Sequence, residues 1–140
     1  MEFKISEQPI TPNALKAQIE TPQSGACLCF EGWVRNHNEG KPVERLEYSA
    51  YQELANKEGQ RILDEAKQRF AIDKVVCQHR IGLLEIGDMA VWVGVSSAHR
   101  GSGFDACRYI IDEVKARVPI WKKEHYSNGA TDWINCATGA

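Results

Sequence analysis

The sequence predicts one α+β domain spanning residues 1–140, with a mostly antiparallel or mixed sheet and helices packed on one face. At 140 residues, the chain is long enough for one hydrophobic core and short for two. Apolar residues alternate with a period of two in several segments joined by short polar turns, which is typical of antiparallel strands. Helical patterns lie between the strand pairs and do not follow every strand, so the order favours α+β over a doubly wound sheet.

Residues 1–51 contain three strand patterns and one helix pattern. Thr11 followed by Pro12 has the chemistry of a helix start, since threonine caps the first turn and proline suits the first helical position. The polar segment after Val34 suits a hairpin turn between two strands. We expect strands at Phe3–Ile5, Ala26–Arg35 and Val43–Tyr51, and a helix from Thr11 to about Ile19.

The rest of the chain contains the longest helix patterns. Ser102 and Asp105 have the spacing of a capping box, and Pro119 ends the helix that follows them. The apolar positions of this helix, three or four residues apart, are Phe104, Cys107, Ile111, Val114 and Val118. We also expect a helix within Gln52–Phe70, a strand pair at Lys74–Ile81 and Met89–Val95, an extended segment at Ile120–Glu124, and a flexible tail at 135–140.

Charge and composition exclude several classes of function. With a formal net charge of −2, the chain lacks the cationic excess that a general nucleic-acid binder needs for its phosphate contacts. No apolar run has the length of a membrane span and no apolar signal region follows Met1, so we expect a cytoplasmic protein without membrane contact. The five cysteines lack zinc-like spacing, which predicts buried thiols and neither a metal site nor a cofactor.

Cationic residues at strand ends are candidates for an anion site. His99 and Arg100 follow an apolar strand and precede a helix, where backbone N–H groups and the helix dipole favour an anion. Arg35 lies where a strand meets a polar loop and can hold a phosphate or carboxylate with two hydrogen bonds. Solvated side chains on exposed turns are also consistent with these three positions. His79 and Arg80 lie inside a strand, and we expect them to be structural, with one facing inward and hydrogen-bonded.

Two lysines extend this candidate site. Lys115 lies at the edge of the apolar stripe of its helix, where a lysine usually buries its stem and keeps its ammonium in water. The functional alternative is a partly buried amine that acts as a nucleophile or base. In the extended segment after the helix, Lys122 shares a face with Ile120, so Lys122 rather than Lys123 faces the same cavity.

Five segments, in their order and spacing, resemble the large, catalytic subunit of molybdopterin synthase. They are F-E-G-W-V-R-N-H-N (30–38), H-R-I-G (79–82), G-D (87–88), V-G-V-S-S-A-H-R (93–100) and R-V-P-I-W-K-K-E (117–124). The resemblance extends from about Gly25 to Trp133 and implies the hammerhead-like α/β fold of that family.

The resemblance implies a sulfurtransferase of molybdenum cofactor biosynthesis. Members of the family convert cyclic pyranopterin monophosphate, also called precursor Z, to molybdopterin by adding two sulfurs. The sulfur arrives as a thiocarboxylate on the C-terminal glycine of a small ubiquitin-like subunit. The family assembly is a heterotetramer, in which a homodimer of large subunits carries one small subunit at each end. The alternative, from another class, is a non-catalytic module that binds an anion or docks the tail of a ubiquitin-like partner.

The resemblance also implies roles for nine residues. The catalytic lysines of the family correspond to Lys115 and Lys122, which also belong to the substrate site. The other substrate-binding positions are the cations Arg35, His99 and Arg100, and the neighbouring backbone at Trp33, Val34, Lys123 and Glu124. Fixed cations suit a cyclic phosphate, and a lysine ammonium suits the charge that develops as a thiocarboxylate attacks.

Overall fold

The computed structural model describes residues 2–136, apart from the side chain of Asp132. The strands in this part of the chain are β1 (Phe3–Ser6), β2 (Ala26–Trp33), β3 (His37–Asn38), β4 (Lys41–Ala50), β5 (Lys74–Arg80), β6 (Gly82–Glu85), β7 (Met89–Ser97), β8 (Ile120–Tyr126) and β9 (Thr131–Asn135). The helices are α1 (Pro12–Ile19), α2 (Gln52–Arg69) and α3 (Arg100–Arg117). Mostly antiparallel strands with helices inserted between them confirm the predicted α+β class.

The strands form two sheets. The first has the order β1-β5-β7-β2, with β1 parallel to β5 and the other pairs antiparallel. In the second, β4 pairs with β3 and β6 on one side and with β8 on the other, and β9 pairs with β8. The predicted hairpin between β2 and β4 is therefore wrong. The hairpin is local to β3 and β4, where Glu39 and Gly40 have the positive φ angles, 51° and 78°, of a two-residue turn.

Helices cover both faces of the first sheet. Val91, Val93 and Val95 of β7 pack in the large core with α2 and α3, whereas Trp92 between them packs against Leu15 of α1. The prediction of helices on one face is correct for α2 and α3 and wrong for α1. The central strands are apolar on both sides, which is the pattern of strands buried on both faces.

The start of α3 differs from the capping-box prediction. His99 is the N-cap and Arg100 the first helical residue, and no side chain bonds to the first turn at this cap. A Cβ at Gly103 would lie 2.3 Å from the Leu28 side chain, so this turn of the helix packs closely on β2. That contact shifts the buried face, and Phe104, which was predicted for the core, is 58% exposed.

The predicted flexible tail, 135–140, begins inside a strand. Asn135 pairs with Trp121 across β9 and β8, and the N–H of Cys136 donates to the carbonyl of Ile120 at 3.2 Å. The predicted start of the tail is therefore too early, because these backbone bonds hold its first two residues on the second sheet. The last four residues lie outside the described part of the chain.

The cysteines differ in burial. Cys77 and Cys107 are buried and Cys136 is half-buried, but Cys27 and Cys29 are exposed. The prediction of buried thiols is wrong for this last pair, because β2 forms an edge of the first sheet and α1 packs on β5 and β7 instead. Among the described residues, none of the helices combines the length and apolar composition of a bilayer-crossing segment.

Candidate active site

A cavity of about 250 Å³ lies where both sheets meet the C-terminal half of α3. Its apolar wall is formed by Phe30, Leu46, Ala90, Val91, Ile111, Val114 and Ile120. Its polar side chains are Trp33, Arg35, Tyr48, His79, Lys115, Lys122 and Cys136. The fold therefore brings three of the predicted cations, Arg35, Lys115 and Lys122, into one cavity from distant parts of the chain.

A buried carboxylate organises one side of this cavity. The side chain of Glu124 is 1% exposed, and its Oε1 lies 3.4 Å from the Nζ of Lys122. Asn38 Nδ2 donates to both carboxylate oxygens, at 2.8 and 3.0 Å. A buried charge is tolerated when it is paired and hydrogen-bonded in this way. Glu124 thus holds the Lys122 ammonium at the cavity without lining the cavity itself.

The same network holds Arg35. Its Nη2 donates to Asn38 Oδ1 at 3.1 Å, so Asn38 links the guanidinium to Glu124. Asn38 lies in β3, which the tight turn into β4 holds in place. Two cations that are far apart in the sequence are therefore positioned through one amide and one carboxylate.

Lys115 reaches the cavity from the last turn of α3. A cation at this end of a helix is favoured by the helix dipole. Burial raises the pKa of the Cys136 thiol, while Lys122 and Lys115 act in the opposite direction. Both ammonium groups therefore lie close enough to Cys136 to stabilise a negative charge at that point of the cavity.

His79 and Tyr48 form a buried aromatic pair beside these lysines. Their ring centroids are 5.0 Å apart in an edge-to-face arrangement. Burial lowers the pKa of His79 to about 4, against the hydrogen bond from its ring to the Arg80 carbonyl, and Lys115 lowers it further. Burial also raises the pKa of Tyr48 well above its usual range. Both rings are therefore neutral near pH 7.

Three of the predicted substrate-binding residues, Trp33, Val34 and Lys123, have side chains in different surroundings. The side chain of Val34 packs in a small core, and its N–H and carbonyl are bonded to the turn at Gly87 and Asp88. The Nζ of Lys123 lies 5.5 Å from the ring centroid of Trp133, and Lys123 is not part of the cavity lining. Trp33 lines the cavity but is 64% exposed, so it forms part of the rim.

His99 and Arg100 lie far from this cavity within the same chain. Arg100 begins α3 and Lys115 lies 15 residues further along it, which at 1.5 Å per residue separates them by about 22 Å. His99 and Arg100 are exposed and line a shallow depression with Gly25, Ala26 and neighbouring residues. The predicted cationic site is therefore divided into two regions of the molecule.

The sequence interpretation gave no role to several polar residues of the site. Asn38 lies within the same motif as Arg35. Its hydrogen bond to Glu124 joins residues 86 positions apart, and such a contact cannot be read from a local pattern. Tyr48 and His79 lie on strands whose alternation indicates only which side chains share a face. Among the described residues, no group of three or more His, Cys, Asp or Glu side chains is arranged to hold a metal ion.

The chain is similar to known proteins over most of its length. The chain matches the model of a family described as MoaE protein over residues 5–117. A molybdopterin synthase catalytic subunit from Thermoplasma volcanium is 47% identical over 131 residues, which cover 93% of this chain and 95% of the relative.

Solved structures share the fold. The crystal structure of molybdopterin synthase from Staphylococcus aureus has a TM-score of 0.90 at 36% identity, covering 96% of this chain and 97% of that one. A complex of subunits 1 and 2 of molybdopterin-converting factor from Helicobacter pylori contains a chain with a TM-score of 0.77 at 19% identity, covering 96% of this chain and 90% of that one. With the family model matched over most of its length, this chain belongs to the MoaE protein family, as the resemblance of its motifs predicted.

Proposed function

We propose that this chain is the catalytic subunit of a molybdopterin synthase. It converts cyclic pyranopterin monophosphate to molybdopterin with two sulfurs from the thiocarboxylated C-terminus of a small ubiquitin-like subunit. The observation that carries the proposal is the convergence of Arg35, Lys115 and Lys122 on one partly apolar cavity. Relatives that share more than a third of their residues with this chain bear the name of that enzyme.

The chemistry of the cavity suits sulfur transfer. A thiocarboxylate and a cyclic phosphate are both anions, and fixed cations in a water-poor cavity stabilise them more than water does. Lys122 is held by Glu124 and serves as a fixed positive charge where charge develops during the attack. Among the described residues no carboxylate is paired with Lys115, so its ammonium can donate a proton to a departing group and the resulting neutral amine can take a proton back.

His99 and Arg100 enter this site in our proposal as residues of a second copy of the chain. Within one chain they lie about 22 Å along α3 from Lys115, too far for direct contact with the same small ligand. β2 is the edge strand of the first sheet, and among the described residues no strand pairs with its outer side. Phe30 and Trp33 on this strand are 36% and 64% exposed, which is unusual for an unprotected edge and suits an interface.

Pairing of β2 with its own copy accounts for both observations. Antiparallel pairing about a two-fold axis lays the Ala26 end of one strand beside the Trp33 end of the other. Ala26 pairs with Ser97, two residues before His99, whereas Trp33 lies at the rim of the cavity. The cationic turn of one copy thereby approaches the cavity of the other, and the homodimer carries two complete sites.

The small subunit is the other proposed partner. An extended C-terminal tail that ends in glycine is narrow enough to enter a cavity of this size between exposed rim residues such as Trp33. A cytoplasmic location remains a prediction of the sequence. The second candidate function is a module that binds an anion or a partner's tail without catalysis. The same cations support it, and it requires no reactive sulfur on the partner.

Reconstitution tests the proposal. The chain is mixed with the thiocarboxylated small subunit and cyclic pyranopterin monophosphate, and molybdopterin is measured as its oxidised fluorescent derivative. We expect product with the wild type and loss of product with Lys115→Ala and with Lys122→Ala. Product formation excludes the binding-only function, and unchanged turnover in both variants contradicts the proposed catalytic residues.

Arg108→Ala provides the matched control. Arg108 lies on the same helix as Lys115, and its side chain is 86% exposed and pairs only loosely with Asp112, at 3.8 Å. This variant removes one cation from α3 without touching the cavity, so we expect wild-type turnover. Equal losses in Arg108→Ala and Lys115→Ala would point to net charge rather than to the site.

A further inference from the structure

The inner wall of the cavity contains a histidine whose protonation state follows from its contacts. His79 is 7% exposed and lines the cavity from β5. Its Nδ1 lies 2.8 Å from the carbonyl oxygen of Arg80. A carbonyl oxygen only accepts hydrogen bonds, so Nδ1 carries the proton and Nε2 of the neutral ring carries a lone pair. Among the described residues, none is hydrogen-bonded to this Nε2.

This nitrogen has a polarity that the cations of the cavity lack. Arg35, Lys115 and Lys122 are cations that offer only N–H donors, whereas Nε2 of His79 offers an acceptor. Burial, with Lys115 nearby, keeps the pKa of His79 at about 4, so the ring remains an acceptor near neutral pH. Tyr48 packs edge-to-face on the imidazole and holds its orientation.

An acceptor that faces a cavity without a protein partner indicates a ligand that brings a donor. Phosphate and thiocarboxylate oxygens are themselves acceptors, so they are repelled by the Nε2 lone pair and attracted to the cations. A flat heterocycle with ring or exocyclic N–H groups has the complementary character, and apolar neighbours such as Ile111 and Val114 suit its faces. The cavity thus has one side for an anion and one for a ring.

We propose that His79 is a substrate-binding residue whose Nε2 accepts a hydrogen bond from an N–H group of the pterin ring. The inference rests on the proposed function and adds the orientation of the substrate. With the ring at His79 and the phosphate at the cations, one end of the substrate is fixed by each kind of contact. His79 acts as an acceptor and not as a general base, because so weak a base seldom takes a proton at neutral pH.

Two substitutions at His79 distinguish the effect of its hydrogen-bond acceptor from the effect of its size and shape. His79→Phe keeps a ring of similar size against Tyr48 and removes the acceptor. His79→Gln carries an amide oxygen to about the reach of Nε2 and keeps an acceptor. Isothermal titration calorimetry measures the Kd of each protein for cyclic pyranopterin monophosphate and for inorganic pyrophosphate, an anion without a ring.

We expect His79→Phe to weaken pterin binding about tenfold, which corresponds to about 1.4 kcal/mol, and His79→Gln to recover most of the affinity. Pyrophosphate affinity should stay unchanged in both variants. Equal weakening for both ligands would show that His79 only supports the cavity, and unchanged pterin affinity in His79→Phe would remove its proposed role. If the wild type neither binds nor converts the pterin, the proposed function is contradicted, and the inference that rests on it is contradicted as well.

A measurement on the wild type keeps the inference testable if His79→Phe does not fold. In protein with ¹⁵N-labelled histidine, the Nε2 resonance of His79 reports whether the lone pair accepts a hydrogen bond. We expect this resonance to move when the pterin is added and to stay in place when pyrophosphate is added. If the chemical shift of Nε2 does not change at pterin concentrations where calorimetry shows binding, the inference is overturned.

Discussion

The two cationic regions of the molecule differ in how their charges are held. At the cavity, Arg35 and Lys122 are tied through Asn38 to one buried carboxylate, Glu124. At the start of α3, His99 and Arg100 are exposed, and Ser97 Oγ donates to the His99 carbonyl at 2.7 Å. The first region is held by contacts within one chain, whereas the second leaves its charged side chains exposed at the surface.

Among the changes that test this difference, the largest expected effect comes from removing the carboxylate that organises the first region. Glu124→Gln keeps the size of the side chain but turns an amide toward Lys122 and weakens the bond that positions Arg35 through Asn38. We expect kcat/KM for the pterin to fall about 100-fold, since a displacement of about 1 Å in a positioned group costs that much.

The control for this change is Glu44→Gln, because the side chain of Glu44 is 51% exposed on the neighbouring strand. Steady-state kinetics with both variants, beside circular dichroism to confirm folding, make the comparison. Similar kinetics for Glu124→Gln and Glu44→Gln would mean that the buried network does not organise the site.

Mixing two inactive variants tests whether the second region serves another copy of the chain. Arg100→Ala and Lys115→Ala each damage both sites of their own dimer. In a mixed dimer, however, one site contains both defects and the other contains neither. After equal amounts are mixed and allowed to exchange, random pairing predicts about a quarter of wild-type activity. Activity that stays at the level of the separate variants would place Arg100 and Lys115 in the same chain's site or outside any site.

The buried His79 at the cavity makes the free energy of unfolding depend on pH in the acid range. The pKa of His79 is about 4 in the folded protein, against 6.5 when unfolded, so below pH 6.5 the unfolded chain binds a proton that the folded chain excludes. Stability from this residue is therefore lost as the pH falls from about 6.5 to about 4, by about 3 kcal/mol in total. Urea unfolding of wild type and His79→Gln across this range measures it, and equal slopes for the two proteins would contradict the prediction.

The smallest expected effect is on the stability of the exposed region. Arg100→Ala removes a side chain with no hydrogen bond or ion pair to the described residues, so the free energy of unfolding should change by less than about 0.5 kcal/mol. Thermal unfolding of the separated chain measures this change. A larger loss would mean that Arg100 supports the fold, and its loss of activity would no longer indicate a binding role.

Most of the secondary structure was predictable, and the pairing of strands was less so. Period-two alternation placed β2, β4, β5 and β7 close to their observed bounds, and Pro119 marked the end of α3. The same alternation suggested a hairpin between β2 and β4, which instead lie in different sheets. Alternation indicates which side chains share a face, but the identity of the neighbouring strand depends on contacts across the whole chain.

The candidate site was predictable to the same extent. Lys115 at the edge of an apolar stripe and Lys122 in register with Ile120 were expected in one cavity, and both line it. His79 was expected to be structural. Its bond to Arg80 agrees with an inward, hydrogen-bonded side chain, but its other nitrogen faces a cavity that strand periodicity does not describe.

By itself, the sequence determined the α+β class, the family through its motifs, and the side chains that carry positive charge at strand and helix ends. Only the tertiary structure decided which charges act together. It joined Asn38 to Glu124 across 86 residues, and separated Arg100 from Lys115 by the length of α3. The physical reason is that local patterns record the direction of a side chain from its own strand or helix. Distances between charges depend on how sheets and helices pack, and those distances set the electrostatics of the site.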